Sequence, residues 1–204
     1  MGSGLAIALL ISLSGCSASS RELCNGTDLT GWTKVGGGAT YAVENGAIVG
    51  TRGPGPNTFL RTNDIFDDFV LDLEFKWDIP INSGVQFRSR QKPGDGRVTG
   101  YQCELDHSDR RWTGGVYDEA GRGWLAPLDQ KPEAMSAVAS IYEWNTLRIE
   151  ASGDRLRTWV NGVPCVDMVD GQDAEGFIAL QVHSSPDEGQ IRWRNIRIRS
   201  LSQH

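Results

Sequence analysis

The sequence has little of several features that mark common classes of protein. Only four of its 204 residues are Cys, too few to hold a chain of this length together by disulfides. Its most apolar stretch runs for nine residues, well short of the about 20 that span a bilayer. Lys and Arg number 20 against 26 Asp and Glu, which gives a net charge of −6. A chain this acidic is not expected to bind nucleic acid through its phosphates.

What the sequence does have is glycine, tryptophan and alternation. It contains 25 Gly and 7 Trp. Short segments of alternating apolar and polar residues lie between turn residues, and no stretch shows a sustained helical period. Residues 69–77 alternate most cleanly, and Asn45-Gly46 and Asn161-Gly162 are dipeptides typical of tight hairpin turns. Residues 109–130 are predicted to be long loops, and 132–139 a short helical turn. The sequence therefore predicts an all-β fold, an antiparallel β-sandwich of jelly-roll type with no long helices.

The N-terminal segment is predicted to be an export signal. An apolar run at residues 5–13 leads directly into Leu13-Ser14-Gly15-Cys16, which resembles a bacterial lipoprotein box. Residues 1–15 are then a signal peptide, Cys16 is the lipidation site, and residues 16–22 are a short tether. Such a protein would be exported and lipid-anchored at the bacterial cell envelope, in the periplasm or on the outer surface. The alternative is a disordered, slightly apolar tail.

Residues 23–201 are predicted to form a single domain, because neither an internal repeat nor a linker divides them. Three Cys fall within it, Cys24, Cys103 and Cys165. An odd number of thiols allows at most one disulfide within the domain.

Polar side chains alternate with apolar ones in three strands that we expect to be neighbours. Strand parity places on one face Gln86 and Arg88, then Gln102, Glu104 and Asp106, then Gln181 and His183. If the three strands turn these faces the same way, the side chains line one cleft. The alternative is that each is the solvated face that an antiparallel sheet normally has.

Glu104 and Asp106 form a candidate acid–base pair. Residues two apart in a strand point the same way, about 6.5–7 Å apart. Repulsion between two such carboxylates would raise one pKa and set a proton donor beside an ionised base, an arrangement compatible with paired-carboxylate sugar chemistry. A divalent ion held by Glu104, Asp106 and either His107 or His183 is a further option, but no metal-ligand spacing supports it. We therefore expect no required cofactor and assign no metal site.

Three aromatic residues fall in the predicted loops of residues 109–130. Trp112, Tyr117 and Trp124 are of the type that stacks on the C–H faces of sugar rings. Their alternative role is to pack the loops against the sheet.

Eight short motifs follow one another along the chain. They are LCNGTDLTGW (23–32), NSGVQFR (82–88), GYQCELD (100–106), TGGVY (113–117), EWN (143–145), WVNG (159–162), LQVH (180–183) and WRNI (193–196). In this order they resemble the bacterial 3-keto-disaccharide hydrolase family, which has a concanavalin A-like jelly roll. Two positions depart from the family pattern: Cys24 stands where an aromatic residue is usual, and the order Gln102, Glu104 is the reverse of the frequent one.

The resemblance implies cleavage of glycosides already oxidised to a ketone at C3. The ketone acidifies the C2 hydrogen, so a base can remove it and expel the C1 substituent, giving elimination or net hydrolysis. On this chemistry we assign Glu104 or His183 as the base, Asp106 as proton donor or orienter, and Arg88 as the cation that stabilises the enolate. The expected substrate-binding residues are Gln86, Gln102, Gln181, Trp112, Tyr117 and Trp124.

Two other functions stay open at this point. A lectin-like carbohydrate-binding module would use the same sandwich and aromatic residues without catalysis. A conventional jelly-roll glucanase usually carries a third acid in an E-x-D-x-x-E pattern, and here Asp109 occupies that position. All three functions share one class of partner, an oligosaccharide or glycoside, and the expected membrane contact is through the lipid at Cys16 alone.

Overall fold

The computed structural model describes residues 20–94 and 96–201. The predicted signal peptide, residues 1–15, and the predicted lipidation site Cys16 lie outside the described residues. Within the described part of the chain, no helix has the length and apolar character needed to cross a bilayer.

Fifteen strands and one short helix make up the described residues. In the first half of the chain the strands are β1 (Arg21–Glu22), β2 (Trp32–Gly36), β3 (Thr40–Glu44), β4 (Ala47–Thr51), β5 (Thr58–Thr62), β6 (Phe69–Ile79), β7 (Ser83–Gln91) and β8 (Val98–Leu105). In the second half they are β9 (Val116–Glu119), β10 (Gly123–Ala126), β11 (Asn145–Ser152), β12 (Arg155–Val160), β13 (Val163–Val169), β14 (Phe177–Val182) and β15 (Gln190–Ser200), with the helix α1 (Pro132–Met135) between β10 and β11.

Two antiparallel sheets pack against each other. One has eight strands in the order β13-β12-β11-β6-β15-β4-β3, with β1 also paired to β15. The other has seven strands in the order β10-β9-β8-β7-β14-β5-β2. This confirms the predicted all-β, antiparallel sandwich of jelly-roll type, and the single four-residue helix lies within the predicted helical turn.

Strand alternation explains where the core sits. Along β6, Phe69, Leu71, Leu73, Phe75 and Trp77 are each at most 2% exposed and face the seven-stranded sheet. Of the intervening residues, Val70 is buried, whereas Asp72, Glu74 and Lys76 are only partly covered. Burying a large apolar side chain of this kind contributes roughly 1.5–3 kcal/mol, so alternation along one long strand already specifies which face becomes the core.

The predicted turns are confirmed, and the last strand contains a bulge. Asn45-Gly46 joins β3 to β4 with φ of +51° and +78°, and Asn161-Gly162 joins β12 to β13 with φ of +49° and +79°. Asn and Gly tolerate this left-handed region, which a two-residue hairpin turn requires. In β15 the register shifts between Arg194 and Arg197, and Asn195 has a φ of +52°.

Two predicted segments were wrong. Residues 109–130, expected to be loops, contain the hairpin β9–β10, which extends the seven-stranded sheet and pairs Tyr117 with Gln102 and with Trp124. Each of these strands has only four residues, too few for alternation to stand out from the surrounding glycines. In addition, Arg21–Glu22, assigned to a tether, forms β1 and pairs with the end of β15.

The three Cys of the described chain are free thiols. Cys24, Cys103 and Cys165 are all buried. Burial raises the pKa of Cys103 well above its ordinary value and raises that of Cys165 to about 11. Neither Cys103 nor Cys165 is therefore activated as a thiolate.

Candidate active site

The three strands with polar faces are neighbours, in the order β8-β7-β14. On the face turned away from the core, Gln102 pairs with Gln86, while Gly84 lies between Glu104 and Gln181. A Cβ at Gly84 would come within 2.4 Å of the amide carbon of Gln102. Glycine at this position therefore leaves room for the longer polar side chains around it.

A cavity of about 390 Å³ lies over this face, within the roughly 300–1,000 Å³ range of small-molecule sites. We call it the polar cleft, because its lining is polar, charged or aromatic throughout: Asn57, Asn82, Gln102, Glu104, Arg110, Tyr117, Glu119, Trp124, Gln181 and His183. The structure thus brings together six residues predicted as site residues, namely Gln102, Glu104, Tyr117, Trp124, Gln181 and His183. Arg88, Asp106, Gln86 and Trp112 are not in its lining.

Glu104 is 4% exposed and is held by three donors. Its Oε1 accepts hydrogen bonds from Nδ2 of Asn82 at 2.7 Å and from Nη2 of Arg110 at 2.9 Å, and its Oε2 accepts one from Nε2 of Gln102 at 2.9 Å. Burial raises the pKa of Glu104, against the opposing effect of these three donors. The carboxylate is therefore fixed in one orientation and balances the charge of Arg110.

A chain of hydrogen bonds beneath the cleft fixes the orientation of Gln102. Its Oε1 accepts from Nε2 of Gln86 at 2.6 Å, and Oε1 of Gln86 accepts from the hydroxyl of Ser89 at 2.9 Å. Gln86 is fully buried and, unlike Gln181, does not line the polar cleft. The prediction that Gln86 binds substrate is thus wrong in its placement, since Gln86 supports Gln102 from below.

Glu119, on β9, is a second carboxylate in the polar cleft, and the sequence analysis missed it. Its Oε1 is 3.3 Å from Nδ2 of Asn57 and its Oε2 is 3.4 Å from Nε2 of Gln181, so both hydrogen bonds are long. Burial raises the pKa of Glu119, and the interactions with Asn57, His183 and Gln181 offset this only in part. The i, i+2 spacing from Tyr117 would have placed Glu119 on the same face, had β9 been recognised as a strand.

His183 follows directly after β14 and is half-buried beside Glu119. Its Nδ1 is 2.5 Å from the carbonyl oxygen of Ser184. A carbonyl can only accept, so Nδ1 carries the hydrogen, and in the neutral ring Nε2 is then left as the acceptor. His183 therefore brings a ring nitrogen that can accept a proton to the cavity that Glu119 also lines.

Arg110 supplies the positive charge of the polar cleft, and it too was missed. Its Nη2 bonds Glu104 at 2.9 Å and its Nε bonds Asp106 at 2.7 Å, while Nη1 donates to no other group of residues 20–94 and 96–201. The guanidinium also lies 4.9 Å from the ring centres of both Trp112 and Trp124. These contacts hold a loop residue in place, and no strand pattern in the sequence marks it.

Of the three predicted aromatic residues, two line the polar cleft and the third packs behind them. Trp124 meets the rings of Tyr117 and Trp112 edge to face, at 5.2 and 4.8 Å between ring centres. Tyr117 and Trp124 line the polar cleft. Trp112 packs against the core and steadies Trp124 and Arg110, so for this residue the alternative role of packing is the correct one.

Asp106 lies just past the end of β8 and organises the following loop. Its Oδ1 accepts from the backbone N–H and hydroxyl of Ser108, and its Oδ2 accepts from Nε of Arg110 and the backbone N–H of Trp112. Burial alone would raise its pKa, but these hydrogen bonds outweigh it and hold the pKa below the ordinary value. An ionised, fully bonded carboxylate is a poor proton donor, so of its two predicted roles the structure favours the orienting one.

The placement predicted for Arg88 was wrong. Between Phe87 and Arg90 the pairing of β7 with β8 shifts register, and Arg88 itself has a φ of +46°. This irregularity sends its side chain away from the polar cleft to the buried carboxylate of Asp68, 2.7 Å away, and to the carbonyl oxygens of Asp67 and Gly153. Arg88 is 1% exposed and cannot stabilise charge on a ligand. Counting every second residue fails across a bulge, because the inserted residue reverses the face to which each following side chain points.

The other donors and acceptors of the cleft show what it can bind. Gln181 is fully buried, and nothing among residues 20–94 and 96–201 donates to its Oε1. A buried acceptor of this kind is stabilised by a ligand hydroxyl. Within the described part of the chain, no cluster of three or more His, Cys, Asp or Glu side chains is placed to hold a metal ion.

Comparison with known sequences identifies a family to which this chain is similar. A sequence profile described as "3-keto-alpha-glucoside-1,2-lyase-like domain" matches residues 19–199. No curated protein has a significantly similar sequence.

Solved structures with similar folds include enzymes by name and binding modules. A protein from Parabacteroides distasonis, provisionally named a glycosyl hydrolase, is 20% identical with a TM-score of 0.68 over 95% of this chain and 99% of its own. The carbohydrate-binding module CBM66 from Bacillus subtilis is 21% identical with a TM-score of 0.58 over 84% and 96% of the two chains. A Bacillus subtilis protein of unknown function with a galectin-like fold is 10% identical with a TM-score of 0.63 over 86% and 92%. At these identities the similarity shows a shared fold.

Proposed function

The chain belongs to the family of 3-keto-alpha-glucoside-1,2-lyase-like domains, and on that premise we propose that it cleaves glycosides whose sugar ring carries a ketone at C3. Family membership supports a carbohydrate-related function. The contribution of the polar cleft is a set of groups matched to the chemistry that such a substrate needs.

The reaction requires a base, an acid and a cation. The base takes the C2 proton, the electron pair of the C2–H bond forms a C1=C2 double bond, and the C1–O bond breaks with its pair going to the leaving oxygen. The acid protonates that oxygen and releases an alcohol, while the cation stabilises the negative charge that develops on the C3 oxygen. Addition of water across the double bond then gives net hydrolysis.

The polar cleft offers one group for each task. His183 is the base, because its Nδ1–H is engaged by the Ser184 carbonyl, which leaves Nε2 as the nitrogen that accepts a proton. Glu119 is the acid, because burial raises its pKa and its hydrogen bonds are long. Arg110 is the cation that faces the C3 oxygen. Glu104, considered from the sequence as a base, instead positions Arg110, since both of its oxygens are engaged by donors.

The observation that carries the proposal is the meeting of Glu119, His183 and the Glu104–Arg110 pair in one cavity beside Tyr117 and Trp124. A module that only bound sugar would have no need of a half-buried carboxyl with a raised pKa next to an oriented imidazole.

The test is to incubate the protein with 3-keto-trehalose and 3-keto-α-glucosides, with and without added divalent metal, and to follow products by mass spectrometry. Substrate deuterated at C2 should lose its label and react more slowly, because the C2–H bond breaks. Direct hydrolysis through an oxocarbenium ion would retain the label. The unoxidised glucosides serve as the control and should not react.

Three outcomes would overturn the proposal. Absence of product from every keto-sugar together with sugar binding that survives Glu119→Gln would favour a carbohydrate-binding module. Cleavage of unoxidised glucans would favour a conventional glucanase. Cleavage of keto-glycosides with full retention of the C2 label would exclude the elimination step.

The proposal includes an envelope location through a lipid at Cys16, on the basis of the Leu13-Ser14-Gly15-Cys16 sequence. In a bacterial host, the full chain should label with radioactive palmitate and sediment with membranes. Cys16→Ser should abolish both, whereas labelling that persists in that variant would refute the assignment.

A further inference from the structure

A second cavity adjoins the polar cleft. It measures about 500 Å³ and shares three lining residues with the cleft: Asn57, Glu119 and His183. The acid and the base of the proposed reaction therefore stand at the junction of two spaces, each large enough for part of a small-molecule ligand.

The lining of the second cavity differs in kind from that of the cleft. We call it the apolar compartment, because Pro56, Phe59, Val98 and Ala120 line it and have no counterpart in the cleft; Arg97 and Ser184 also contribute to its wall. Phe59 and Val98 belong to a small cluster with Phe177 and Ala179 that lies apart from the main core. An apolar cluster on the outward face of an antiparallel sheet is unusual, since that face normally meets water.

Strand parity shows that the change of character is built into the sheet. Along β14, Phe177 and Ala179 precede Gln181 on the same face, and along β8, Val98 precedes Gln102. β14 and β8 both pair antiparallel with β7, so they run parallel to each other and change from apolar to polar in the same direction. One face of one sheet thus has an apolar half and a polar half, and Phe59 of β5 pairs with Gln181 where the two meet.

The chemistry decides which part of the substrate lies in which half. The C3 oxygen must reach Arg110, and the ring hydroxyls need donors and acceptors such as Asn82 and Gln181, all of which line the polar cleft. The atoms handled by His183 and Glu119 are the C2 hydrogen and the C1 oxygen, on the far edge of the ring. The group attached to that oxygen therefore extends past the junction and into the second cavity.

We propose that the apolar compartment is the leaving-group subsite, and that it selects 3-keto-glycosides whose leaving group presents an apolar face, such as an aromatic alcohol. The inference rests on the proposed function, because it takes Glu119 and His183 as the groups that act at C1 and C2. It adds the class of substrate and the residues that choose it.

The test compares benzyl and methyl 3-keto-α-glucosides. The two released alcohols have similar acidity, so a difference in kcat/KM reports on the compartment and not on leaving-group chemistry. Apolar contact of this size is expected to favour the benzyl substrate by at least about tenfold in kcat/KM. A ratio near one in an active protein would overturn the inference while leaving the proposed function intact.

Blocking the compartment provides the matched variant. Ala120 is exposed at its wall, so Ala120→Trp adds bulk there without entering the core. We expect this variant to bring the benzyl/methyl ratio of kcat/KM close to one, because the added bulk lowers kcat/KM for the benzyl substrate more than for the methyl one. Ala42→Trp, an exposed site on β3 of the other sheet, is the control and should keep the preference. If Ala120→Trp lowered kcat/KM equally for both substrates, the keto-sugar ring would occupy the compartment, which contradicts the inference.

A binding measurement separates this inference from the proposed function. If no keto-glycoside is cleaved, the proposed function fails, and calorimetric titration with unoxidised benzyl and methyl α-glucosides still tests the compartment. Tighter binding of the benzyl compound that is lost in Ala120→Trp would support an apolar subsite. Equal affinity for the two compounds would refute it.

Discussion

Strands of both sheets alternate between apolar and polar residues, but the polar side chains on the two outward faces differ in how far they are exposed to water. On the eight-stranded sheet, Arg148 pairs with Asp72 at 2.7 Å with side chains 54% and 45% exposed, and Arg155 pairs with Asp167 at 2.6 Å at similar exposure. On the seven-stranded sheet, Glu104 is 4% exposed. Ion pairs in water contribute little, whereas a buried carboxyl is strongly affected by each neighbour. The comparison teaches that chemistry resides where polar alternation coincides with burial.

Cavity size alone would have pointed to the other face. A depression of about 660 Å³ on the eight-stranded sheet is larger than the polar cleft, and Asp72, Glu74 and Arg148 line it. Its carboxylates are paired with arginines, and for both Glu74 and its partner Arg194 the contact is open to water. Nothing in that depression combines a weakly bonded acid with an oriented base.

The sharpest way to test the contrast between the two faces is one substitution made on each. Glu119→Gln should lower kcat/KM on keto-glycosides by about 10²–10⁴-fold, because an amide cannot act as a general acid. Glu74→Gln, on the outward face of the other sheet, should leave kcat/KM unchanged. Steady-state kinetics across pH measures both. In the wild type the rate should fall as alkali removes the Glu119 proton, at a higher pH than for an ordinary glutamate since burial raises its pKa. Equal activity of the two variants would remove Glu119 from the mechanism.

A second comparison sets the buried arginine against the one in the polar cleft. Arg88→Met should lower the free energy of unfolding by about 3–5 kcal/mol, because it leaves the carboxylate of Asp68 buried without its guanidinium. Arg110→Met, at a side chain 38% exposed, should reduce turnover while changing stability by less than Arg88→Met does. Chemical denaturation and kinetics of both variants check this. A stable Arg88→Met protein with impaired turnover would restore Arg88 as a site residue.

The third prediction concerns pH and the two carboxylates of β8 and its following loop. Asp106 has a folded-state pKa below its unfolded value. Its contribution to the free energy of unfolding is therefore present above about pH 4 and is lost as pH falls through the folded pKa. Asp106→Asn should therefore cost about 1.5–3 kcal/mol at pH 7 and progressively less in acid. For Glu104 the pH dependence of stability has the opposite sign, because burial raises its folded-state pKa. A stability difference for Asp106→Asn that does not change with pH would contradict this assignment.

The smallest effect is expected on the outward face of the eight-stranded sheet. Arg148→Ala should change the free energy of unfolding by about 0.2–1 kcal/mol, less at high salt, with no change in kcat/KM. Thermal unfolding at two ionic strengths measures it. A loss of several kcal/mol would show that this face is energetically more like the polar cleft than its exposure indicates.

The sequence predicts those features that depend on residues close together in the chain. The alternation of β6 and the Asn-Gly turns depend on local stereochemistry, and both were correct. Residues Gln102, Glu104, Gln181 and His183 were also found, because parity is reliable along an uninterrupted strand. Arg88 was misplaced because a bulge interrupts parity, and Glu119 was missed because β9 is short. Arg110 lies in a loop, where no periodicity exists to predict its direction.

By itself, the sequence determined the fold class, the two-sheet architecture and the polar residues that share a face along uninterrupted strands, since all of these depend on a two-residue period and on turn stereochemistry. Only the tertiary structure decided which polar residues become a site. The loop after β8 brings Arg110 onto Glu104, and the hairpin β9–β10 brings Glu119 near His183. Both contacts join parts of the chain whose approach depends on packing, and burial then shifts the pKa of each carboxyl by an amount that no local pattern encodes.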